Sequence, residues 1–579
     1  MTRMPADPDT FVEEALDGLV LAHPDELRRV SGGVARATAI TPGHVAVVIG
    51  GGSGHYPAFA GVVGEGMPAA AVCGNIFSSP SAGQAVQVAR AVEAGGGVLF
   101  SYGNYAGDVI HFGEAERRLR EKGLDVRTVL VTDDIASAPA ADRTQRRGIA
   151  GDLCVFRIAG ASAERGDDLD EVERLARRAN AMTRTLGVAF SGCTLPGASS
   201  PLFEVPEGRM SIGLGIHGEP GIRDVPLQSA RELAVTLLEP LLEERPEGHA
   251  SRVSLIVNGL GTAKYEELFI LFGHLHRELA SRGIEVASPL CGELVTSLDM
   301  GGVSVTLLWL DDELEELWNA PAASPAFRRG AVDRSGVLAV AEVATGADAS
   351  EEPLGQRTVT AESRRDAALA RRLLSAARDA VVREADHLGE LDAVAGDGDH
   401  GIGMTRGLEA AVAAASALDD ETGLGEVLDA AGDAWSETAG GTSGALWGAA
   451  ISVLGRCIDE GGASRTLSLP AAVSAARSRI QTLGGASAGD KTMLDALLPF
   501  ERELEAALAD GRSVADALGR AAGKARQGAS DTAALTPRKG RARPLAERSI
   551  GHPDPGAVSF ALIASTVAEV VLGGTEEDS

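Results

Sequence analysis

The sequence has few cysteines, and they lie far apart. No two of them form a CxxC pair, which argues against a disulfide framework and against a zinc site with the usual ligand spacing. We expect reduced, buried thiols in a protein located in the cytoplasm. The first residues also have no apolar core like that of a signal peptide. The five cysteines are Cys73, Cys154, Cys193, Cys291 and Cys457.

Long apolar runs and an excess of positive charge are also missing. The most apolar run, residues 557–572, is interrupted by Glu569 and is too short to span a bilayer, so we expect a core helix and no membrane partner. The chain has 53 Lys and Arg against 82 Asp and Glu, a net charge of −29 that is spread along the sequence. This balance argues against nucleic acid as a partner.

The pattern of apolar residues changes once, near residue 340. Before it, short apolar runs bounded by glycine alternate with helical patterns, which predicts α/β layers with largely parallel sheets. After it, alanine-rich amphipathic patterns broken by glycine-rich loops predict an all-α bundle or barrel with its site on loops. The expected strands are residues 45–49, 97–100, 129–131 and 253–257.

A chain of 579 residues suggests three to four domains at about 150 residues each. We predict a first α/β subdomain at 1–185 and a second at 186–335. Residues 336–360 have weak periodicity and are interpreted as a linker. The helical domain then covers 361–579.

Three aspartates lie within eight residues, with glycines between them and a histidine directly after. Asp392, Asp397 and Asp399 are spaced at i, i+5 and i+7, and His400 follows. Converging carboxylates repel one another unless a hard cation lies between them, and magnesium is the ion that shares such ligands with nucleotide phosphates. A solvated acidic turn is the alternative. An EF-hand loop needs an acidic twelfth residue, and counting from Asp397 that residue is Leu408.

Three further loops of the helical half, at 440–448, 484–493 and 551–556, are rich in glycine. Backbone N–H groups at a helix start bind anions, and the hydroxyls of Thr442 and Ser443 add donors. The second loop is similar to a phosphate-binding P-loop with one residue inserted, but no strand precedes it, so we reject that interpretation. Each loop is also typical of a helix cap. Together with the aspartates they predict a nucleotide site without a P-loop.

Three glycine-rich segments stand out in the α/β half. His55 ends a loop of four glycines and a serine after a strand. A dinucleotide fingerprint would need glycine at this position, which argues against a Rossmann cofactor loop. Asp108 follows another strand, where carboxylates tend to face a ligand crevice. His217 lies among glycines at 213–221. A lone histidine is more often structural than catalytic, and that alternative stays open for each one separately.

These motifs occur in the order GGGSGH, NYAGD, GIHGEPG, GDGDHG, GGTSG, GDKTMLDAL and GHPDPGA. In that order they resemble the ATP-dependent dihydroxyacetone kinases in which the K and L domains are fused, over nearly the whole chain. The resemblance implies a phosphotransferase with an alcohol group as acceptor. It implies a K-type half of two α/β subdomains for the substrate, and an L-type all-helical barrel for ATP and two magnesium ions. It also implies a homodimer in which the L domain of one chain serves the K domain of the other.

The resemblance also implies a role for each site residue. His217 matches the histidine that adds to the substrate carbonyl as a hemiaminal, which selects short ketones and aldehydes over glycerol. Asp108 and His55 match the residues that accept the proton of the primary hydroxyl. Asp392, Asp397 and Asp399 match the magnesium ligands. The substrate loops contribute Gly52, Ser53, Gly54 and Gly103, and the matched nucleotide contacts are His400, Thr442, Ser443, Gly484, Thr492, Met493, Asp554, Pro555 and Gly556.

Two departures from the family pattern concern the substrate. Gly103 stands where these kinases usually carry lysine, and GHYPAF stands where they usually have Gly-His-Glu-Pro. Later segments are similar to a branch that phosphorylates erythrulose, and the missing lysine suggests room for one more hydroxymethyl group. We therefore favour erythrulose over dihydroxyacetone, with glyceraldehyde also considered. A non-catalytic sugar-sensing co-regulator would have lost some of the catalytic residues, whereas this chain has both histidines and all three aspartates. An FAD-AMP lyase (cyclising) side activity stays open.

Overall fold

The computed structural model describes residues 6–248, 251–332, 359–394, 396, 398–439, 441–460, 465–539 and 546–577. The chain separates into two compact units, Met1–Thr345 and Gly346–Ser579. The first unit contains a six-stranded, a seven-stranded and a two-stranded β-sheet together with helices, and the second unit is helical. The fold class predicted from the sequence is therefore confirmed. Most of the predicted linker lies outside the described residues, and the predicted domain boundaries stay predictions.

The first sheet has six strands in the order β1-β2-β4-β3-β5-β6. The strands β4, β3, β5 and β6 run parallel, and β1 and β2 form an antiparallel edge. The central strands are continuous apolar runs because helices cover both faces of a parallel sheet. The elements are α1 Phe11–Ala22, β1 Leu27–Val30, β2 Gly33–Arg36, β3 Ala46–Ser53, β4 Ala70–Ile76, α2 Ala82–Val92, β5 Val98–Gly103, α3 Ala106–Glu121, β6 Val126–Val131, α4 Asp152–Arg165 and α5 Leu169–Ala181.

The second sheet has seven strands, and most of its pairs are antiparallel. The expectation of largely parallel sheets is therefore wrong here. Strand–helix alternation does not report strand direction, since β13 returns antiparallel between β7 and β10 and β8 pairs with β9 as a hairpin. The elements are β7 Thr183–Ala189, β8 Arg209–Ile212, β9 Arg223–Pro226, α6 Ala230–Glu243, β10 Arg252–Gly259, α7 Tyr265–Ser281, β11 Glu285–Val286, β12 Leu290–Gly292, β13 Gly302–Trp309, α8 Asp312–Asn319, β14 Ala322–Ala323 and β15 Arg328–Arg329.

The second unit is built from α-helices around one apolar core. Small residues, mostly alanine, dominate that core, so the helices pack closely. All four strands predicted from the sequence lie in the first unit, as expected. The helices are α9 Ala361–Ala393, α10 His400–Ala417, α11 Leu424–Ala439, α12 Gly441–Glu460, α13 Arg465–Gly484, α14 Leu494–Ala509, α15 Val514–Asp531, α16 Ala546–Ser549 and α17 Pro555–Glu577.

Helix α17 contains the most apolar run of the chain. By length and composition alone, Pro555–Gly573 is long and apolar enough to cross a membrane, and 28% of that window is buried. The expectation that the run is too short to span was wrong, because the helix starts earlier and ends later than the run does. It packs against α9, α14 and α15. Four alanines on one of its faces lie in the core of the unit: Ala557, Ala561, Ala564 and Ala568.

Candidate active site

Three neighbouring parallel strands of the first sheet end at the same edge, as ligand-binding crevices of α/β sheets require. His55 lies just beyond β3, Phe77 follows β4, and Tyr105 and Asp108 lie beyond β5. His55 and Asp108, which were predicted from separate motifs, are thus brought to one edge of the sheet by β3 and β5. These two strands pair although β4 lies between them in the sequence. His217 comes from the loop between β8 and β9, in the other sheet of the same unit.

The two histidines predicted from the sequence form a direct contact. Nε2 of His55 lies 2.9 Å from Nε2 of His217. Nδ1 of His55 lies 2.7 Å from the backbone oxygen of Thr296, which follows β12. Burial, and next the nearby His217, lower the pKa of His55 to about 3. The structure therefore joins two residues that the sequence analysis treated separately, and it adds Thr296, for which no sequence signal was found.

A chain of charged groups orients His217. Its Nδ1 lies 3.2 Å from Oε1 of Glu219, and its backbone N–H donates to Oε2 at 3.0 Å. Burial alone would raise the pKa of Glu219, but His217 and Arg147 together lower it. Arg147 in turn lies 2.8 Å from Asp134. Sequence reasoning assigned no role to Glu219, although its place two residues after the histidine in the GIHGEPG motif was a usable signal.

Aromatic rings enclose the imidazole pair. Phe77 stacks on His55 at 5.0 Å between centroids and meets His217 edge-on at the same distance. Tyr105 meets His217 edge-on at 5.0 Å. Phe77 has a φ of 53°, which is rare for a bulky residue and typical of backbone held at functional sites. Neither ring was singled out from the sequence, since aromatic residues in loops carry no pattern of their own.

Asp108 lies in the first turn of α3 and is buried, with 7% of its surface exposed. Burial raises its pKa to about 7, while a hydrogen bond from Ser79 and the nearby His217 act in the opposite direction. Its Oδ1 has no hydrogen-bond partner among the residues that the structure describes. A carboxylate that titrates near neutral pH and keeps one oxygen free has the properties of a general base.

The glycine loop approaches neighbouring backbone closely. A Cβ on Gly52 would lie 2.7 Å from the backbone nitrogen of Ser78, and Gly54 has a φ of 106°. Ser53 donates its hydroxyl to the backbone oxygen of Gly74 at 2.7 Å. The loop therefore needs glycine at these two positions, and the Ser53 hydroxyl is held by the protein.

Gly103 is the buried last residue of β5. A Cβ here would lie 3.0 Å from the ring of Tyr105 and 3.1 Å from the backbone oxygen of Gly148. Protein atoms thus fill the space that a side chain would enter. These distances describe the Cβ position only, and the hypothesis that the missing lysine leaves room for a larger ketose stays a prediction.

The helical unit gathers several of its predicted residues around the end of α9 and the starts of α10 and α17. Asp392 accepts a hydrogen bond from the backbone N–H of Gly398 at 2.9 Å. Nε2 of His400 lies 3.0 Å from Oγ of Ser559. Burial lowers the pKa of His400, against Asp392 and the backbone of Pro555, which raise it.

Asp554 precedes α17 and caps it, accepting from the N–H of Ala557 at 2.8 Å. Burial raises the pKa of Asp554 to about 7, and the nearby Asp495 and Asp392 add to that effect. A Cβ on Gly556 would lie 3.7 Å from Cβ of Met493. The predicted residues of the 551–556 and 484–493 loops therefore meet.

Thr492 and Lys491 belong to the same neighbourhood. The N–H of Thr492 donates to Asp495 at 3.0 Å, and Nζ of Lys491 donates to the backbone oxygen of Ser549 at 2.6 Å. Lys491 has a φ of 61° and lies close enough to Asp554 to oppose its raised pKa. Sequence reasoning missed the roles of Lys491 and Asp495, because it treated their loop as a failed P-loop.

The other three predicted nucleotide contacts lie on helices α12 and α13. Thr442 and Ser443 lie exposed in the first turn of α12. Gly484 is the last residue of α13, and a Cβ there would lie 3.6 Å from the side chain of Leu446 in α12. The start of α12 and the end of α13 are thus neighbours, but no described contact joins these three residues to the acidic group.

The acidic group fits a hard cation. Burial, and next the charge of Asp392, raise the pKa of Asp399. Asp392 also raises that of Asp554. Each of these carboxylates makes ionisation of its neighbour less favourable, and a magnesium ion bound by their oxygens would offset that repulsion. Within the described ranges, no three His, Cys, Asp or Glu side chains are close enough to hold a metal. Asp397, the third predicted ligand, lies outside the described residues.

The α/β unit and the helical unit each match a known domain family. Residues 17–326 match the Dak1 domain family, and residues 394–569 match the DAK2 domain family. The chain belongs to the dihydroxyacetone kinase family with both domains fused in one chain. It is a phosphotransferase with an alcohol group as acceptor.

Individual relatives align over the full length. The L-erythrulose kinase of Pectobacterium atrosepticum is 49% identical over 594 residues, covering 100% of this chain and 98% of that protein. The D-erythrulose kinase of Mycolicibacterium smegmatis is 50% identical over 580 residues, covering 100% of both. The crystal structure of the dihydroxyacetone kinase from C. freundii in complex with AMP-PNP and Mg2+ covers 98% of this chain and 99% of that chain, at 30% identity and a TM-score of 0.52.

Proposed function

We propose that the protein phosphorylates the primary hydroxyl of a short-chain ketose with ATP, while His217 holds the substrate carbonyl as a hemiaminal. Erythrulose is favoured over dihydroxyacetone and glyceraldehyde. The observation that carries this proposal is the 2.9 Å contact between the two imidazole Nε2 atoms. Relatives named for L- and for D-erythrulose are equally similar to this chain, so they support a four-carbon ketose without favouring either enantiomer.

The hydrogen bonds assign the protons of the imidazole pair. Nδ1 of His55 faces the carbonyl of Thr296, which only accepts, so this nitrogen carries a proton. Nδ1 of His217 faces the Glu219 carboxylate and carries one as well. Both Nε2 atoms would then present lone pairs to each other. We propose that one further proton is shared by the pair across this 2.9 Å contact and is balanced by Glu219.

This shared proton matches what carbonyl addition needs. As Nε2 of His217 bonds to the carbonyl carbon, the carbon–oxygen π pair moves to the oxygen, which then requires a proton. The proton of the pair can pass through His55 to that oxygen. Because the pKa of His55 is lowered to about 3, His55 gives the proton up readily. Glycerol has no carbonyl and cannot be held in this way.

Asp108 is the proposed general base for the hydroxyl that is phosphorylated. Its raised pKa allows it to bind a proton near neutral pH, and its free Oδ1 is available to a substrate hydroxyl. Asp108 lies close enough to His217 to interact with it electrostatically. A substrate held on His217 would therefore have its hydroxyl in a fixed position near Asp108.

The helical unit is the proposed nucleotide site. When bound, ATP supplies the phosphoryl group and Mg²⁺ neutralises its charge. Asp392, Asp397 and Asp399 are proposed to hold two magnesium ions, with Asp554 and Lys491 beside them. The proposed nucleotide contacts are those predicted from the sequence: His400, Thr442, Ser443, Gly484, Thr492, Met493, Asp554, Pro555 and Gly556.

The test is ADP release with Mg-ATP and five candidate acceptors: dihydroxyacetone, D-glyceraldehyde, D-erythrulose, L-erythrulose and glycerol. We expect turnover with the carbonyl compounds only, fastest with one erythrulose enantiomer, and loss of turnover in His217→Ala. Equal turnover of glycerol would overturn the hemiaminal. Ketose binding without ADP release would favour a sugar-sensing co-regulator, and cyclic flavin nucleotide formed from FAD with manganese would establish the lyase.

We also propose that the protein acts as a homodimer in which each helical domain serves the other chain. Mixing His217→Ala protein with Asp397→Ala protein tests this, because each variant lacks only one of the two sites. Recovery of turnover in the mixture is expected if sites from different chains combine. A monomer in sedimentation analysis, with no recovery on mixing, would contradict the proposal.

A further inference from the structure

Two buried polar atoms beside the imidazole pair have no role in the chemistry described so far. They are the hydroxyl oxygen of Tyr105 and Oδ1 of Asp152, and neither has a hydrogen-bond partner among the described residues. Asp152 is only 3% exposed. An unsatisfied buried polar group costs about 1–3 kcal/mol, so two of them next to a substrate site need an explanation.

These atoms border the same small region. The ring of Tyr105 contacts that of His217 on one side, and it lies against Gly103 on the other. A Cβ on Gly148 would lie 2.5 Å from Cα of Gly103 and 2.6 Å from Oδ1 of Asp152. The lack of a side chain at Gly148 therefore leaves this buried carboxyl oxygen close to the end of β5. Tyr105 thus connects His217 with Gly103, and Gly148 connects Gly103 with Asp152, so these residues form one continuous set of neighbours.

The pKa values of both groups are raised. Burial, and next the charges of Asp133 and Asp108, raise the pKa of Asp152 well above its usual value. Burial also raises the pKa of Tyr105 well above its usual value. The region therefore favours the protonated forms of the phenol and of the carboxyl group, and each of these forms both donates and accepts a hydrogen bond. Such a pair suits hydroxyl groups and does not suit an anion.

We propose that Tyr105 and Asp152 bind the ketose hydroxyls that are not phosphorylated and so determine which ketoses are accepted. This inference rests on the proposed function. The imidazole pair accounts for the carbonyl oxygen, and Asp108 accounts for the reacting hydroxyl. Every other hydroxyl of a buried ketose needs its own partner, and a four-carbon ketose has one more of them than dihydroxyacetone has. Discrimination then comes from hydrogen bonds.

The experiment compares variants on two ketones that differ in their non-reacting hydroxyls. Erythrulose carries two of them, whereas hydroxyacetone has only the hydroxyl that is phosphorylated. Tyr105→Phe removes one oxygen and keeps the ring against His217. We expect kcat/KM to fall about tenfold or more with erythrulose and less than about twofold with hydroxyacetone, because only erythrulose loses a hydrogen bond.

Tyr102→Phe is the matched control. Tyr102 is also buried, but its ring stacks on Phe112 within the core, 4.3 Å between centroids. Loss of that hydroxyl should leave the ratio of the two kcat/KM values unchanged. Equal losses of Tyr105→Phe on both ketones would show a structural role and overturn the inference. No loss on either ketone would overturn it too.

Asp152 is tested by a pair of substitutions. Asp152→Asn keeps a neutral donor of the same shape, and Asp152→Ala removes it. We expect the asparagine variant to keep discrimination for erythrulose within about threefold and the alanine variant to lose about tenfold. Equal losses in the two variants would contradict a donor role. Absence of wild-type turnover on any ketose would instead reject the proposed function, so the two failures are distinguishable.

Discussion

The two units hold their functional residues in different ways. In the α/β unit, the side chain of His55 is bonded to that of His217, and His217 to Glu219, while His55 is also held by the backbone oxygen of Thr296. In the helical unit, Asp392 and Asp554 accept hydrogen bonds from backbone N–H groups, and Asp392 raises the pKa values of Asp399 and Asp554. The first site is electrostatically balanced by its own residues, whereas the second has an excess of negative charge.

This difference matches two kinds of chemistry. A covalent bond to a carbonyl needs a nucleophile held in one tautomer and one orientation, which fixed partners provide. Binding of a nucleotide with its cation needs uncompensated carboxylates, because each internal partner would compete with the ion. The sugar site should therefore respond most to loss of geometry, and the nucleotide site to changes of charge and of magnesium concentration.

The largest expected effect tests geometry in the α/β unit. His217→Ala should lower kcat/KM for erythrulose by at least about 10³-fold, because the carbonyl can no longer be held covalently. ADP release measures this effect. His274→Ala serves as the control, since His274 lies on α7 and its described side-chain contact is with Arg277. A loss below tenfold in His217→Ala would show that covalent capture is dispensable.

The next effect concerns Asp108, the proposed base beside His217. The pKa of Asp108 is raised to about 7, so its basic form increases as pH rises, and kcat should rise through this pH and level off above it. Asp108→Asn should lower kcat by about 10²–10⁴-fold and abolish this limb of the profile. The pH dependence of ADP release in both proteins is the measurement. An unchanged limb in the variant would assign it to another group.

A smaller effect is expected from charge in the helical unit. Asp399→Asn removes one of the mutually repelling carboxylates, so we expect the Mg²⁺ concentration at half-maximal turnover to rise about tenfold. Magnesium titrations at saturating ATP measure it. Tyr105→Phe, a change in the other unit, should leave the magnesium dependence untouched. The comparison between the units fails if both variants shift it equally.

The smallest effect is on stability. Because the folded-state pKa of Asp108 is raised to about 7, the protein loses stability as pH rises from about 4 to about 7, where the folded protein must give up that proton. We therefore compare the Tm of Asp108→Asn minus the Tm of the wild type at two pH values. This difference should be about 3 °C or more higher near pH 8 than near pH 5. Thermal unfolding with and without Mg²⁺ measures it, and a gain that required magnesium would contradict this origin.

Much of the fold could be predicted from the sequence because its signals are local. The four predicted strands are present, and the change to alanine-rich helical patterns coincides with the second unit. Direction was not predictable, since β13 pairs antiparallel with both β7 and β10 although helices separate the strands in sequence. Hydrogen bonding between strands distant in the chain decides this, and periodicity does not report it.

The sequence by itself determined the family, the two-part fold class and the candidate histidines and aspartates of the sites. All of these depend on motifs of adjacent residues. Only the tertiary structure decided how they act. The Nε2 contact joins residues 162 positions apart, Thr296 has no motif, and Tyr105 fills the space beside Gly103. Proton positions, raised pKa values and unpartnered buried oxygens depend on which side chains converge after folding, and convergence is a property of packing.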